Sequence, residues 1–366
     1  MYDQIREDTL FIIVYSIVTA MAMIASCYLL FRRANAIAPD VTSPVRLRRW
    51  TAAYFAAAAL CHLWYMPIFF LTSSEAIMMT DLVGGLLDSM TVFPLAIIVM
   101  LNMLQDRRRP LWPIALMTAP FVVGGVFSVV TLSYTLIPIL YVYLLLLSVC
   151  IVIYMVRATR QYGRWLRDNY ADLEHKEVWQ SFVVLAFILL LIVFYAFVSE
   201  GPLSQYVMQV IGIVLIGYLL WRVETLSDLS LPINDALSLS VRNRSALPLG
   251  LSKNIGPLLK KYCEEPQLYL QNDVSLSQLA NQIGINRSYL SKHFALQGIS
   301  YNEYINGLRI QHFVNLYHEA AATHQPVTVQ QLAYQSGFRS YSTFSVAFKK
   351  IMGMNTTEWI RDHISA

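Results

Sequence analysis

The chain has 366 residues, of which 56% are hydrophobic and only 14% charged, with a formal net charge of +4. Soluble domains carry about 25% charged residues, so an ordinary cytosolic enzyme is disfavoured, and so small a net charge does not by itself point to nucleic acid. Length allows about two or three domains, and polarity divides the chain: residues 9 to 221 are mostly apolar, whereas 222 to 366 read as a soluble domain.

Near the amino terminus, Asp3, Glu7 and Asp8 stand against the single Arg6, and no small-residue cleavage site follows the first apolar run, so a secretory signal peptide is not expected. Crossing about 30 Å of hydrocarbon takes about 20 residues. Seven segments meet that length: Leu10 to Phe31, Trp50 to Leu71, Leu82 to Leu104, Leu111 to Leu132, Leu136 to Val156, Val178 to Val198 and Leu203 to Trp221. The joints after the first, third and fifth are rich in arginine: Arg32, Arg33, Arg46, Arg48 and Arg49, then Arg107, Arg108 and Arg109, then Arg157, Arg160, Arg164 and Arg167 with Lys176. The intervening joints, Thr72 to Ala76, Ser133 to Thr135 and Glu200 to Pro202, hold no Lys or Arg. Positive joints stay cytoplasmic, which predicts an outward amino terminus and a cytoplasmic carboxy-terminal part beginning at Arg222. Short exterior joints exclude a folded outer ligand domain, so a signal has to be received in the bilayer, at its rim or from another membrane protein.

Within the apolar half, Asp81 and Asp88 lie two helical turns apart on one face with Gly84 and Gly85, and His62 lies inside the second segment. Ionisable groups at such depth are costly and face a cavity or a partner. Two readings stand side by side: His62, Asp81 and Asp88 form a sensing or ion site, or they hydrogen-bond to neighbouring helices. Cys27, Cys61, Cys150 and Cys263 are widely spaced and form no metal or disulfide pattern, so neither a metal nor a cofactor is expected. Residues 223–252, with Pro232, Asn234, Asp235, Asn243, Pro248 and Gly250, read as a tether; about 30 residues of flexible chain span roughly 30 Å.

The polar half repeats itself. Ser275-x-x-Gln278-Leu279-Ala280 with Gly284 matches Thr328-x-x-Gln331-Leu332-Ala333 with Gly337, and Leu290-Ser291-x-x-Phe294 matches Phe344-Ser345-x-x-Phe348. Gly298 then matches Gly353, and Glu303-Tyr304-Ile305 matches Glu358-Trp359-Ile360. Each copy predicts a capping box that starts one helix, a left-handed glycine that ends it, and a second helix capped by Asn286 or Ser340. On the second helices and their caps, Asn286, Arg287, Ser288, Ser291 and Lys292 in the first copy, and Arg339, Ser340, Tyr341, Ser342, Thr343, Ser345, Lys349 and Lys350 in the second, are side-chain types that meet phosphates and base edges.

On these residues, over roughly Pro257 to His363, the chain resembles the AraC/XylS family of bacterial transcription regulators. The resemblance rests most on the run Leu332 to Lys350, with Gly353 and Trp359-Ile360-Arg361, and on Ser288-Tyr289-Leu290-Ser291 and the stretch Tyr304 to Ile310. It implies one monomer placing two recognition helices in successive major grooves. Val346 stands where the family usually has a basic or polar residue, and Thr356 where a proline usually follows the glycine.

The sequence therefore predicts an all-α protein: a seven-helix transmembrane sensor over residues 1–222, a linker over 223–252, and an AraC-type DNA-binding domain over 253–366 with helix-turn-helix motifs at about 275–295 and 328–350. The expected protein is not an enzyme but a one-component regulator of the inner membrane. Its expected partners are promoter DNA, the lipid bilayer, RNA polymerase and a second copy of the chain. A transporter or membrane enzyme with a cytoplasmic interaction module is the competing class, but no HExxH, no glycine-rich phosphate loop and no inverted repeat is visible.

Overall fold

The computed structural model describes residues 8–32, 34–198, 202–229, 255–323 and 326–364. Arg33, the Glu200 end of its joint and residues 230–252 of the expected linker lie outside the described residues. The chain divides into two compact units, Met1–Tyr162 with Val178–Asp228, and Gly163–Glu177 with Leu229–Ala366. Among the described residues the regular elements are all helical, as the sequence predicts, and the sole β-type pairing is an isolated bridge between Tyr170 and Ser275.

In the first unit, α1 (Thr9–Phe31) starts where the Asp8 carboxylate accepts from the Phe11 amide at 3.1 Å, satisfying an amide that the helix itself leaves unpaired. It packs on α2 (Val45–Tyr65). Both helices bury small side chains, Ala22, Ala25 and Ser26 on one, Thr51, Ala52 and Ala59 on the other. The Ser26 hydroxyl donates to the Ala52 carbonyl at 2.9 Å; small residues let apolar helices approach closely, and hydroxyls join them.

Several predicted spans end elsewhere than expected. The second gives way at Pro67 to a 3-10 turn, Met66–Phe69. The third is two helices, α3 (Ser74–Met90) and α4 (Val92–Met103), which meet at Thr91 with φ −123° and ψ −65°. Pro94 explains the break, because it has no N–H to offer the Met90 carbonyl and its ring crowds that carbonyl. In α5 (Trp112–Thr131), Gly124 and Gly125 are packing positions: an added Cβ would come within 2.9 Å of Leu140 and of Leu86, respectively.

The largest correction concerns the fifth segment. Expected to end at Val156, α6 (Ile137–Asn169) continues unbroken for 33 residues, about 50 Å at 1.5 Å per residue. Arginine is a good helix former, so Arg157, Arg160, Arg164 and Arg167 change the polarity of this helix without ending it. Two more helices follow, α7 (Trp179–Val198) and α8 (Pro202–Thr225). Among the described residues six helical stretches are long and apolar enough to cross a membrane, the bent α3–α4 stretch counting once, and the described apolar part of α7, Trp179–Leu191, is shorter.

The joint after α1 is a structured collar around the end of α8. The buried Glu224 carboxylate accepts from the Ile37 amide at 2.8 Å, the Ala36 amide at 3.1 Å and the Tyr28 hydroxyl. Asn35 donates to the Glu224 carbonyl at 2.9 Å and accepts from Arg48 at 2.8 Å. Arg48, counted in the sequence among loop charges, is thus a buried structural side chain.

The second unit begins its described carboxy-terminal part with the short α9 (Ile255–Leu259). Then come α10 (Leu276–Ile283), α11 (Arg287–Leu296), the long α12 (Tyr301–Ala322), α13 (Val329–Gln335), α14 (Tyr341–Met352) and α15 (Thr356–Ile364). Leu279, Ala280, Leu290 and Phe294 pack in one core with Tyr301 and Ile305 of α12. Leu332, Ala333, Phe344 and Phe348 pack in a second with Ile310 and Phe313 of the same helix. One helix therefore serves both cores, and Arg309 lies where they meet.

Candidate nucleic-acid interface

The two helix pairs are built alike. Ser275 and Gln278 form a complete capping box at α10, and Thr328 and Gln331 form one at α13. Gly284 follows α10 with φ +80° and Gly337 follows α13 with φ +86°, backbone that L-residues adopt only at a cost. Asn286 then caps α11 by accepting from the Ser288 amide at 2.9 Å, and Ser340 caps α14 by accepting from the Thr343 amide at 3.3 Å. Leu290 and Phe294 on α11, and Phe344 and Phe348 on α14, are buried as their spacing predicts.

These caps and cores leave one face of each second helix outward. On α11, Ser288, Tyr289 and Lys292 are exposed and Ser291 is half-buried. On α14, Tyr341, Ser342, Lys349 and Lys350 are exposed and Ser345 is half-buried, while Val346 is 73% exposed. An apolar side chain displayed so openly amid polar neighbours on the outward face is suited to contact with a thymine methyl.

Not every predicted residue is unengaged. Lys350 donates to Glu303 of α12 at 2.6 Å, and this ammonium is the main reason the Glu303 carboxyl is held down to about 2. Arg339 lies 3.6 Å from Asp273. The half-buried Arg287 donates to Asn169, from Nε at 2.9 Å and from Nη2. Thr343 donates to Glu174 at 3.3 Å. Asn169, Glu174 and Asp273 carry no motif, and they come beside these helices only through the fold.

Arg309 is another residue that the pattern of the repeat did not single out. Its guanidinium, 1% exposed, donates to the carbonyls of Tyr269 at 2.7 Å, Gln271 at 2.8 Å and Asn272 at 3.3 Å, and lies 5.5 Å from the centre of the Phe338 ring. Burial pushes its pKa down to about 10, still charged at neutral pH. A buried cation that satisfies three carbonyls preceding α10 and stacks beside α13 ties the two helix pairs together.

In the first unit, the structure does not bring the three predicted sensing residues into one cluster of hydrogen bonds. Asp88 accepts from Tyr65 at 3.0 Å and Asp81 from Tyr134 at 3.1 Å. His62 pairs through Nδ1 with the Ala58 carbonyl at 3.1 Å, and its ring lies 4.8 Å from that of Tyr15. Among the described residues no group of three His, Cys, Asp or Glu could hold a metal.

Two capped helix pairs with outward second helices define a helix-turn-helix protein, and residues 279–362 match the helix-turn-helix domain family. The carboxy-terminal domain is of the AraC type, joined to an apolar amino-terminal part. Its relatives include an uncharacterized HTH-type transcriptional regulator of Staphylococcus aureus (strain MRSA252), 32% identical over 92 residues, which cover 25% of this chain and 12% of that protein. Another is the TCP pilus virulence regulatory protein of Vibrio cholerae serotype O1 (strain ATCC 39541 / Classical Ogawa 395 / O395), 31% identical over 84 residues, 23% of this chain and 29% of that protein. The chain thus spans only a small part of the length of these relatives, and the family match lies wholly outside the apolar half. No solved structure matches the chain.

Proposed function

We propose that the chain is a membrane-embedded, one-component transcriptional regulator, without enzymatic activity, that binds promoter DNA sequence-specifically. The observation that carries this is the repetition, on either side of α12, of a capped helix, a left-handed glycine and a second helix with a polar outward face. In this reading α11 and α14 enter successive major grooves, Ser288, Ser291 and Lys292 read base edges, and Lys349 meets phosphate. The domain is only weakly basic, with ten Lys/Arg against seven Asp/Glu from Gly250 onward, so non-specific affinity is modest and attachment to the membrane raises the local concentration of promoters that reach it.

The apolar half is proposed to lie in the inner membrane with its amino terminus outward, to receive the signal near Asp88 and Asp81, and to act through RNA polymerase. The half-buried Asp88–Tyr65 pair and the more open Asp81–Tyr134 pair support a polar locus that a signal could perturb. Selection of duplexes from a randomised library by the full chain in lipid nanodiscs tests DNA binding: a recovered consensus with two half-sites supports it, and no enrichment overturns it. Reporter fusions test topology, with cytoplasmic activity expected after Arg109, Arg167 and Arg222 and none after Ser74, Tyr134 and Pro202. Asp88→Asn is expected to alter target transcription while membrane insertion persists; an unchanged response would leave Asp88 as a packing partner of Tyr65.

A further inference from the structure

The segment Gly163–Glu177, read in the sequence as no more than a basic joint, belongs to the same compact unit as the two helix pairs. Its attachment is extensive. Ala171 is fully buried in the first core, and Tyr170, Asp172 and Lys176 are buried as well. The Ala171 amide donates to the Val274 carbonyl at 3.4 Å, beside the Tyr170–Ser275 bridge. Asn302 of α12 donates to the carbonyls of Ala171 at 2.5 Å and Tyr170 at 3.3 Å. Lys176 pairs with Asp273 at 3.1 Å.

From this anchorage the segment reaches both second helices at their amino-terminal ends. Asn169 takes the guanidinium of Arg287, the first residue of α11, and Glu174 takes the hydroxyl of Thr343 in the first turn of α14. Those are the places where a DNA phosphate would sit, since a helix amino terminus with its unpaired amides attracts an anion. An amide oxygen and a carboxylate stand there in this structure.

We propose that Gly163–Glu177 is an intrachain occupant of the DNA-reading face, holding Arg287 and Thr343 away from DNA until it is displaced. The proposal rests on the DNA-binding reading above. It also names a route for the signal, because Asn169 is the last residue of α6, and α6 is continuous from Ile137. A rotation or shift of that helix along its axis moves the group that holds Arg287.

The test uses the full chain in lipid nanodiscs and the duplex recovered by selection. Asn169→Ala combined with Glu174→Ala leaves every proposed DNA contact in place and is expected to tighten binding about tenfold, the gain available when the occupied form exceeds the open one about nine to one. Asn169→Asp, which offers Arg287 a full negative charge, is expected to weaken binding. Opposite signs from two changes that include the same position are not what simple misfolding produces. Hydrogen exchange of the amides from Leu166 to Glu177 is expected to quicken when the duplex saturates the wild-type chain. Equal affinities in all three chains, or unchanged exchange on saturation, overturn the inference while the DNA-binding reading stands. Failure of all three chains to bind any duplex overturns both.

Discussion

The two helix pairs share a plan, and the differences between them show what each copy has to do besides present a second helix. In the first, Gly284 has open space where a side chain would be, whereas in the second a Cβ on Gly337 would lie 2.7 Å from the Leu270 Cα and 2.8 Å from its carbonyl oxygen. The first turn needs only left-handed backbone; the second also needs room for the strand of chain leading to α10. The outward chemistry differs too. Lys292 is exposed on α11, whereas α14 carries Val346 and has Lys350 drawn onto Glu303. Among the described residues, the first copy leaves its lysine free of protein partners on the outward face, whereas the second ties one of its lysines to α12.

The most severe way to break this pairing is Arg309→Ala, which leaves the Tyr269, Gln271 and Asn272 carbonyls without their donor. A loss of about 3 kcal/mol or more is expected, seen as faster hydrogen exchange in both cores. Loss confined to one core would show that Arg309 does not join them. Next come the turn glycines. Gly337→Ala is expected to cost about 3 kcal/mol, left-handed strain plus a backbone clash, against about 1 kcal/mol for Gly284→Ala, where strain acts alone. Denaturation of the two variants side by side checks this, and equal losses would remove the asymmetry.

Binding sharpens the comparison at smaller magnitudes. Lys292→Ala and Ser288→Ala are expected to relax sequence preference in one half-site, each base contact being worth about 1 to 3 kcal/mol. Lys349→Ala is expected to weaken all sequences alike and to reduce the salt slope by about one. Titrations on a randomised operator library at two salt concentrations separate the two, and an unchanged preference with a shallower slope in Lys292→Ala would make that residue a phosphate contact.

The smallest effect is the acid dependence of the Glu303–Lys350 pair. Because the carboxyl is held down to about 2, the folded chain binds fewer protons there than the unfolded one. Its stabilising contribution is complete above the ordinary carboxylate range and is lost as pH falls towards about 2. The pair is partly exposed, so less than about 1 kcal/mol is at stake. Lys350→Ala should flatten the stability of the second unit between about pH 5 and pH 2, and an unchanged acid profile would show that the pair contributes nothing.

Much of this architecture is legible in the order of residues, because it depends on local rules. The capping boxes at Ser275 and Thr328, the left-handed glycines and the buried i, i+4 pairs Leu290/Phe294 and Phe344/Phe348 are all where the repeat puts them. Each involves residues within about one helical turn, so sequence spacing alone specifies the contact. The places of the apolar segments are legible as well, since length and hydropathy mark them, although their ends and the break at Thr91 are not. What tertiary structure alone decided is the fate of groups whose partners are remote in the chain. Arg48 and Arg287 look like any surface arginine until Asn35 and Asn169 arrive beside them. A polarity pattern marked Val156 as the end of a span, yet α6 runs on to Asn169, because helix continuation depends on backbone propensity while hydropathy reports only the surrounding medium. Nor does any motif announce that Ala171 completes a core formed mainly by residues about a hundred positions later; such a contact is selected by shape and burial, which exist only once the chain has folded.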